Sequence, residues 1–189
     1  MDRLAVLASG NESKLRELRH ALPGWQLELL GAVEYPPEVG DTYYENARAK
    51  AVYGHSLASG DWVLGEDSGI EIEALGGGPG VTSSRWAAGR EAEKAVEELR
   101  GVEGEGRRAR YVCELVAVAP DGTEHRGTGI LEGRIAEEPR GSAGFGFDPV
   151  FIPKGEQQTV AELGNGWKAD NSHRARAAKA LLNAITSET

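Results

Sequence analysis

Apolar positions along the chain change period several times, and each change marks an element. Residues 3–8 form a short apolar run that ends at Ser9, Gly10 and Asn11, which reads as a buried strand entering a turn. Leu15, Leu18 and Leu22 then recur at three- and four-residue steps. They predict a helix with Asn11 as its N-cap and Pro23-Gly24 as its stop. Residues 25–30 predict a second strand, so the chain opens as strand, turn, helix, strand, the start of an α/β domain. Thr42 and Glu45 stand at capping-box spacing and predict a helix through Asn46, Ala47, Lys50 and Ala51 to about Ser59. Residues 62–65 and 70–72 read as two strands around a break at Glu66-Asp-Ser-Gly69. Arg90 to Arg100 carries the narrow Ala/Val/Leu stripe of a charged helix. Tyr111 to Ala119 is a strong strand, and Pro120-Asp-Gly-Thr123 is a hairpin signal. Residues 124–136 predict two further strands, and 140–149 a glycine-rich loop. The last helix starts near Ser172 and buries Ala178, Leu181, Leu182 and Ile185. Residues 101–107 are the only flexible-looking stretch.

Composition narrows the function classes. The 189 residues fit a single domain at roughly 100–200 residues per domain. Lys and Arg total 21 against 30 Asp and Glu, a net charge of −9. Bulk electrostatics therefore argue against nucleic acid as a partner. A phosphate ligand would need a locally basic site or a metal. A single cysteine, Cys113, leaves no intramolecular disulfide and no cysteine-based zinc site. No apolar run approaches the ~18 residues of a membrane span, and the N-terminal run is too short for a signal-peptide core. The expectation is a soluble, cytoplasmic chain with no membrane partner.

Five stretches hold candidate chemistry. Ser9, Gly10, Asn11, Glu12, Ser13 and Lys14 join a strand to a helix start, where backbone N–H groups, a hydroxyl and a cation form a phosphate cradle. The Walker spacing is absent, and a solvated surface lysine is the plain alternative. Glu38, Gly40, Asn46 and Lys50 form the second. Asn46 and Lys50 are four apart and share a helix face, which is also what a solvated face looks like. In Glu66-Asp67-Ser68-Gly69, a carboxylate at a strand end suits a magnesium ligand or a base for water. Successive strand residues point to opposite faces, so Glu66 and Asp67 need not act together; an acidic turn is the alternative. In Gly144 to Pro149, Phe145 and Phe147 can stack on a base while Gly146 lets backbone approach a ligand; core aromatics are the alternative. Lys168, with His173 and Arg174 at a helix start, offers cations against the helix dipole, suited to carbonyl or phosphate oxygens; for His173 a half-buried neighbour of the helix cap is the alternative.

Six motifs occur in register: Ala8-Ser-Gly-Asn-x-x-Lys14; Glu38-x-Gly-x-Thr42-x-x-Glu-Asn-Ala47-x-x-Lys50-Ala; Glu66-Asp-Ser-Gly69; Gly78-Pro-Gly80 with Ser84-Arg85; Gly144-Phe-Gly-Phe-Asp-Pro149; and Ser172-His-Arg174. With them the chain resembles the inosine/xanthosine triphosphate pyrophosphatases of the Ham1/RdgB type from about residue 4 to 182. The resemblance implies an elongated α/β fold, with a bent mixed sheet, two α/β lobes and a central groove, in one domain spanning 1–189. It implies a magnesium-dependent homodimer that hydrolyses inosine, deoxyinosine and xanthosine triphosphates to monophosphate and pyrophosphate. It assigns Ser9 to Lys14 to phosphate binding, Glu38 and Asp67 to the metal, and Asp67 to proton acceptance. Lys50 would stand beside the triphosphate. Ser68, Phe145, Gly146, Phe147, Asp148, Lys168, His173 and Arg174 fall to substrate contact. Glu66 stands where many relatives carry Asp, and Phe147 where Tyr or Trp is common. A Maf-like nucleotide pyrophosphatase and a non-catalytic nucleotide-binding regulator are the alternatives. The first typically carries a Ser-x-Ser-Pro-Arg block that is replaced here by Ser9-Gly-Asn, and the second has no need of a water-activating carboxylate.

Overall fold

The computed structural model describes residues 3–31 and 34–187. In chain order the elements are β1 (Arg3–Leu7), α1 (Glu12–Ala21), β2 (Trp25–Leu29), α2 (Tyr43–Leu57), β3 (Trp62–Ile72), α3 (Ser83–Ala87), α4 (Glu91–Glu98), β4 (Arg108–Val118), β5 (Glu124–Ile135), β6 (Phe151–Pro153), α5 (Val160–Asn171) and α6 (His173–Ser187). Among the described residues six strands form one mixed sheet in the order β2-β1-β3-β4-β5-β6. β1 runs parallel to both β2 and β3, with Leu7 opposite Leu29 and Leu64. β5 and β6 are antiparallel, with Arg134 opposite Ile152.

The chain divides into two compact units. The first comprises residues 1–67, 113–129 and 173–189; the second, 68–112 and 130–172. In the first, side-chain alternation along β4 decides which layer covers which face. Cys113, Leu115 and Ala117 join Leu15 and Leu18 of α1, Leu22 at its C-cap, and Ala177, Ala178, Leu181 and Ile185 of α6 in one core. Val116 and Val118 face the other way and pack on Ala47 and Ala51 of α2. Two glycines let helices come this close. A Cβ on Gly65 of β3 would collide with the carbonyl of Ala47, and one on Gly129 of β5 with the carbonyl of His173.

The second unit has its own core, built from Ile70, Ile72, Tyr111, Leu131, Ile135 and Phe151 of the strands with Ala92, Ala95, Leu99 and Val160 around them. Arg107 is buried there and satisfied by carbonyls alone. Its Nε donates to Ile135 (2.8 Å), Nη1 to Leu99 (3.0 Å) and Val102 (3.1 Å), and Nη2 to Ala136 (2.5 Å). The flexible-looking stretch 101–107 is thus pinned at its end by an arginine.

Several expectations hold. Asn11 caps α1, accepting from the amides of Ser13 and Lys14, and Thr42 and Glu45 form a complete capping box on α2. Others are corrected. β3 is one continuous strand through 66–69, not two around a break, because the buried carboxylates there find cationic partners and stay in the ladder. Residues 124–135 are likewise one strand of alternating burial, not two. Helix α5 has no counterpart among the elements expected from sequence: Gly164, at φ 85°, interrupts its periodicity midway.

Candidate active site

Glu66 and Asp67 are both buried, at 0% and 3% exposure. Alternation along β3 turns them to opposite faces. Glu66 follows Leu64 toward α1 and α6; Asp67 follows Val63 and Gly65 toward α2.

On the α1/α6 face, Glu66 gathers cations. Its Oε2 lies 2.6 Å from Lys14 Nζ. Its Oε1 accepts from Arg174 Nε (3.2 Å) and Nη2 (2.9 Å), and from the Cys113 thiol at 3.5 Å. Glu17, one helical turn beyond Lys14 on α1, pairs with Arg174 Nη1. Burial by itself would raise the Glu66 pKa, but Lys14 and Arg174 outweigh it and hold the carboxyl well below the usual range. Burial and the charge of Glu66 push the Cys113 thiol well up. It therefore stays protonated and donates.

On the α2 face, Asp67 Oδ2 accepts from Asn46 Nδ2 (3.0 Å), and Asn46 Oδ1 accepts from the Gly40 amide (2.8 Å). Lys50 Nζ is 3.6 Å from Asp67 Oδ1, donates to the Glu66 carbonyl at 3.0 Å, and pairs with Glu38. One amide side chain and one ammonium thereby fasten the Glu38–Gly40 loop to the strand. Burial raises the Asp67 pKa above the usual aspartate range, although Lys50 and Asn46 pull the other way.

The expected phosphate cradle is partly occupied by its own cap. Asn11 Oδ1 takes the Ser13 and Lys14 amides (2.9 and 3.1 Å), and Ser9 Oγ takes the Asn11 amide (3.1 Å). Gly10 and Glu12 complete this turn and helix start, and Lys14 is held by Glu66. Lys14, Glu38, Lys50, Asp67, His173 and Arg174 all belong to the first unit.

In the second unit, which includes Ser68, Asp148 organises a separate cluster. It is 1% exposed and accepts from Lys168 Nζ (2.5 Å), the Phe145 amide (2.8 Å) and the Tyr111 hydroxyl (3.3 Å). Lys168 Nζ lies 4.1 Å from the Phe145 ring centroid, and that ring is 38% exposed. Phe147, two residues on past Gly146, is buried and stacks on Trp86 at 6.2 Å. Its ring belongs to the core, so the two phenylalanines are not equivalent stacking faces. Glu17, Cys113 and Tyr111 were missed from the sequence. Glu17 alone left a signal there, its three-residue spacing from Lys14.

The fold is a mixed α/β sheet with buried lysine–carboxylate pairs midway along β3 and at a glycine-rich loop. The chain belongs to the Ham1 family, whose model matches residues 5–184. It is 45% identical over 188 residues to a dITP/XTP pyrophosphatase of Thermus thermophilus, covering 95% of this chain and 90% of that one. It is 44% identical over 186 residues to the dITP/XTP pyrophosphatase of Deinococcus radiodurans, covering 96% and 92%. Among solved structures, a HAM1 protein from Coxiella burnetii superposes with a TM-score of 0.83 at 34% identity, covering 99% of this chain and all of that one.

Proposed function

We propose that the chain hydrolyses hypoxanthine- and xanthine-bearing nucleoside triphosphates to the monophosphate and pyrophosphate, and that Asp67 is its catalytic base. The observation that carries this reading is the Asp67 site itself: a buried carboxylate with a raised pKa, oriented by Asn46 and flanked by Lys50, in a chain of the Ham1 family. Water attacks the α-phosphorus, Asp67 takes its proton, and pyrophosphate leaves against Lys14 and Lys50. Such chemistry is mostly positioning and electrostatics. The exposed ring of Phe145, beside Lys168, offers a face on which a base can stack, and His173 and Arg174 offer donors for a purine C6 carbonyl. An adenine amino group would leave those donors unmatched.

The residues present fit a divalent metal, which we take to be magnesium. Among the described residues no group of three or more His, Cys, Asp or Glu side chains is gathered. Magnesium uses only one or two carboxylates when phosphates and waters supply the rest. Glu38 and Asp67, both against Lys50, would provide those two. The ion would neutralise charge developing on the phosphates. Membership of the family supports a homodimer; a single ~20 kDa species in sedimentation at micromolar concentration would exclude it. Among the described residues no helix is long and apolar enough to cross a membrane. A nucleotide substrate, as in the relatives' names, supports a cytoplasmic location.

The test is pyrophosphate release across a panel of inosine, deoxyinosine, xanthosine, guanosine, adenosine and pyrimidine triphosphates, with magnesium and with chelator. Release from the inosine and xanthosine nucleotides far above the rest, abolished by chelator, is expected. Preference for a pyrimidine nucleotide would favour the Maf-like reading, and binding without release a regulator.

A further inference from the structure

Lys14 and Arg174 come from opposite ends of the chain, yet end on the same carboxylate. Lys14 meets Glu66 Oε2 at 2.6 Å, and Arg174 meets Oε1 through Nε and Nη2 at 3.2 and 2.9 Å. Glu66 is completely buried, and both its oxygens are engaged, by Lys14 on one side and by Arg174 and Cys113 on the other. Arg174 is 1% exposed and also paired with Glu17, whereas the Lys14 side chain is 17% exposed. The four groups carry no net charge, two cations against two carboxylates. A phosphate that draws on Lys14 therefore changes what Glu66 has left to give Arg174, and the reverse holds as strongly. The Cys113 thiol donates weakly to the same Arg174-bound oxygen, at 3.5 Å.

We propose that Glu66 is a positioning residue that couples Lys14 to Arg174, so that engagement of the phosphate tail and seating of Arg174 toward the base are one linked event. The proposal rests on the substrate roles given above to Lys14 and Arg174. It makes Glu66 neither a metal ligand nor a base. It also accounts for two adjacent buried carboxylates on one strand, since each serves a different face.

Two measurements test it. In the first, kcat/KM for inosine triphosphate is determined for the parent, Lys14→Ala, Arg174→Ala and the double variant, and then for the same four in a Glu66→Gln background. Residues sharing one ion-pair network are coupled by about twofold or more. The double variant should thus lose less than the product of the single losses by at least that factor. In Glu66→Gln the losses should simply multiply. Glu66→Asp, which keeps the charge, should keep the coupling. Losses that multiply in the parent, or coupling unchanged in Glu66→Gln, overturn the proposal.

The second measurement needs no Glu66 variant, in case Glu66→Gln does not fold. The Arg174 Nε–H resonance is followed while inorganic pyrophosphate is added to the intact protein. It should move in the parent and stay still in Lys14→Ala. If pyrophosphate perturbs Lys14 and leaves Arg174 unmoved, the coupling falls and the phosphate role of Lys14 stands. If pyrophosphate perturbs neither, the site reading falls and takes this proposal with it.

Discussion

Glu66 and Asp67 share a strand, a charge and near-complete burial, but the faces they look onto differ. Glu66 looks toward α1 and α6, where Lys14, Arg174 and a thiol surround it and leave no path to solvent. Asp67 looks toward α2, where one ammonium stands at 3.6 Å and one amide orients an oxygen. The first carboxylate is compensated beyond its burial and the second is not, so their pKa values move in opposite directions. Two like groups driven apart by their surroundings divide the labour of a site. The overcompensated one is fixed as an anion and organises cations. The undercompensated one keeps proton affinity, which is what the proposed role as base asks of it.

The largest effect should follow from removing that proton affinity. Asp67→Asn preserves size and the contact with Asn46 but has no basic oxygen. Loss of a general base costs about 10²–10⁴-fold in rate. We expect kcat for inosine triphosphate to fall by that much with KM changed far less, measured by pyrophosphate release. Turnover within threefold of the parent would move the base elsewhere and dissolve the contrast.

Breaking the other side should act on stability instead. Glu66→Leu fills the space but strands Lys14 and Arg174 on a buried face. Removing one partner of a buried ion pair costs about 3–5 kcal/mol. At this chain length that is a fall of about 10 °C in Tm. Differential scanning calorimetry on Glu66→Leu and Asp67→Asn compares the two sides directly. A smaller loss for Glu66→Leu than for Asp67→Asn would contradict the assignment of Glu66 as the organising anion.

How much of this contrast could be read from the sequence follows from the same geometry. Strand alternation already separates Glu66 from Asp67, and the caps at Asn11 and Thr42 are local patterns that the structure repeats. The partners were not legible. Arg174 lies 108 residues from Glu66, and only the packing of α6 on β5, admitted by Gly129, brings it there. The acidic, glycine-bearing stretch 66–69 looked like a turn because local propensity counts polar residues against a strand. Lys14, Lys50 and Arg174 supply the compensation that local propensity ignores. Phe147 misled for the opposite reason: aromatic residues two apart look alike until one of them meets Trp86.

Acid titration gives a smaller effect with opposite signs on the two sides. Glu66 has a depressed pKa in the folded chain. Its stabilisation is full above the ordinary glutamate range and fades as pH falls below it. Asp67 has a raised pKa. The folded chain binds its proton more tightly, so Asp67 costs stability as pH rises from the ordinary aspartate range through the raised value. Denaturant unfolding at a series of pH values, with chelator present, should therefore show two trends. The advantage of the parent over Glu66→Gln should shrink toward acid. The standing of the parent relative to Asp67→Asn should worsen toward neutral pH. Slopes of the same sign would mean that the two surroundings are not opposed.

The smallest effect concerns the thiol that completes the Glu66 side. Cys113 is fully buried, and its Sγ stands 3.5 Å from Oε1, so it is one weak donor beside the charged donors Lys14 and Arg174. Its pKa is pushed well up, which keeps the proton on sulfur and makes it a poor nucleophile. Cys113→Ala removes this donor and leaves a small void. We expect about 1 kcal/mol of stability to be lost, the typical net worth of one hydrogen bond. kcat/KM should stay within about threefold, because Lys14 and Arg174 still define the carboxylate. Cys113→Ser returns a donor on a shorter bond and should recover part of the loss. Chemical denaturation of the three proteins with parallel pyrophosphate-release assays checks this. A collapse of activity in Cys113→Ala with stability intact would show that the thiol is essential on the Glu66 side, and the division between an anchoring face and a reacting face would then have to be redrawn around Cys113.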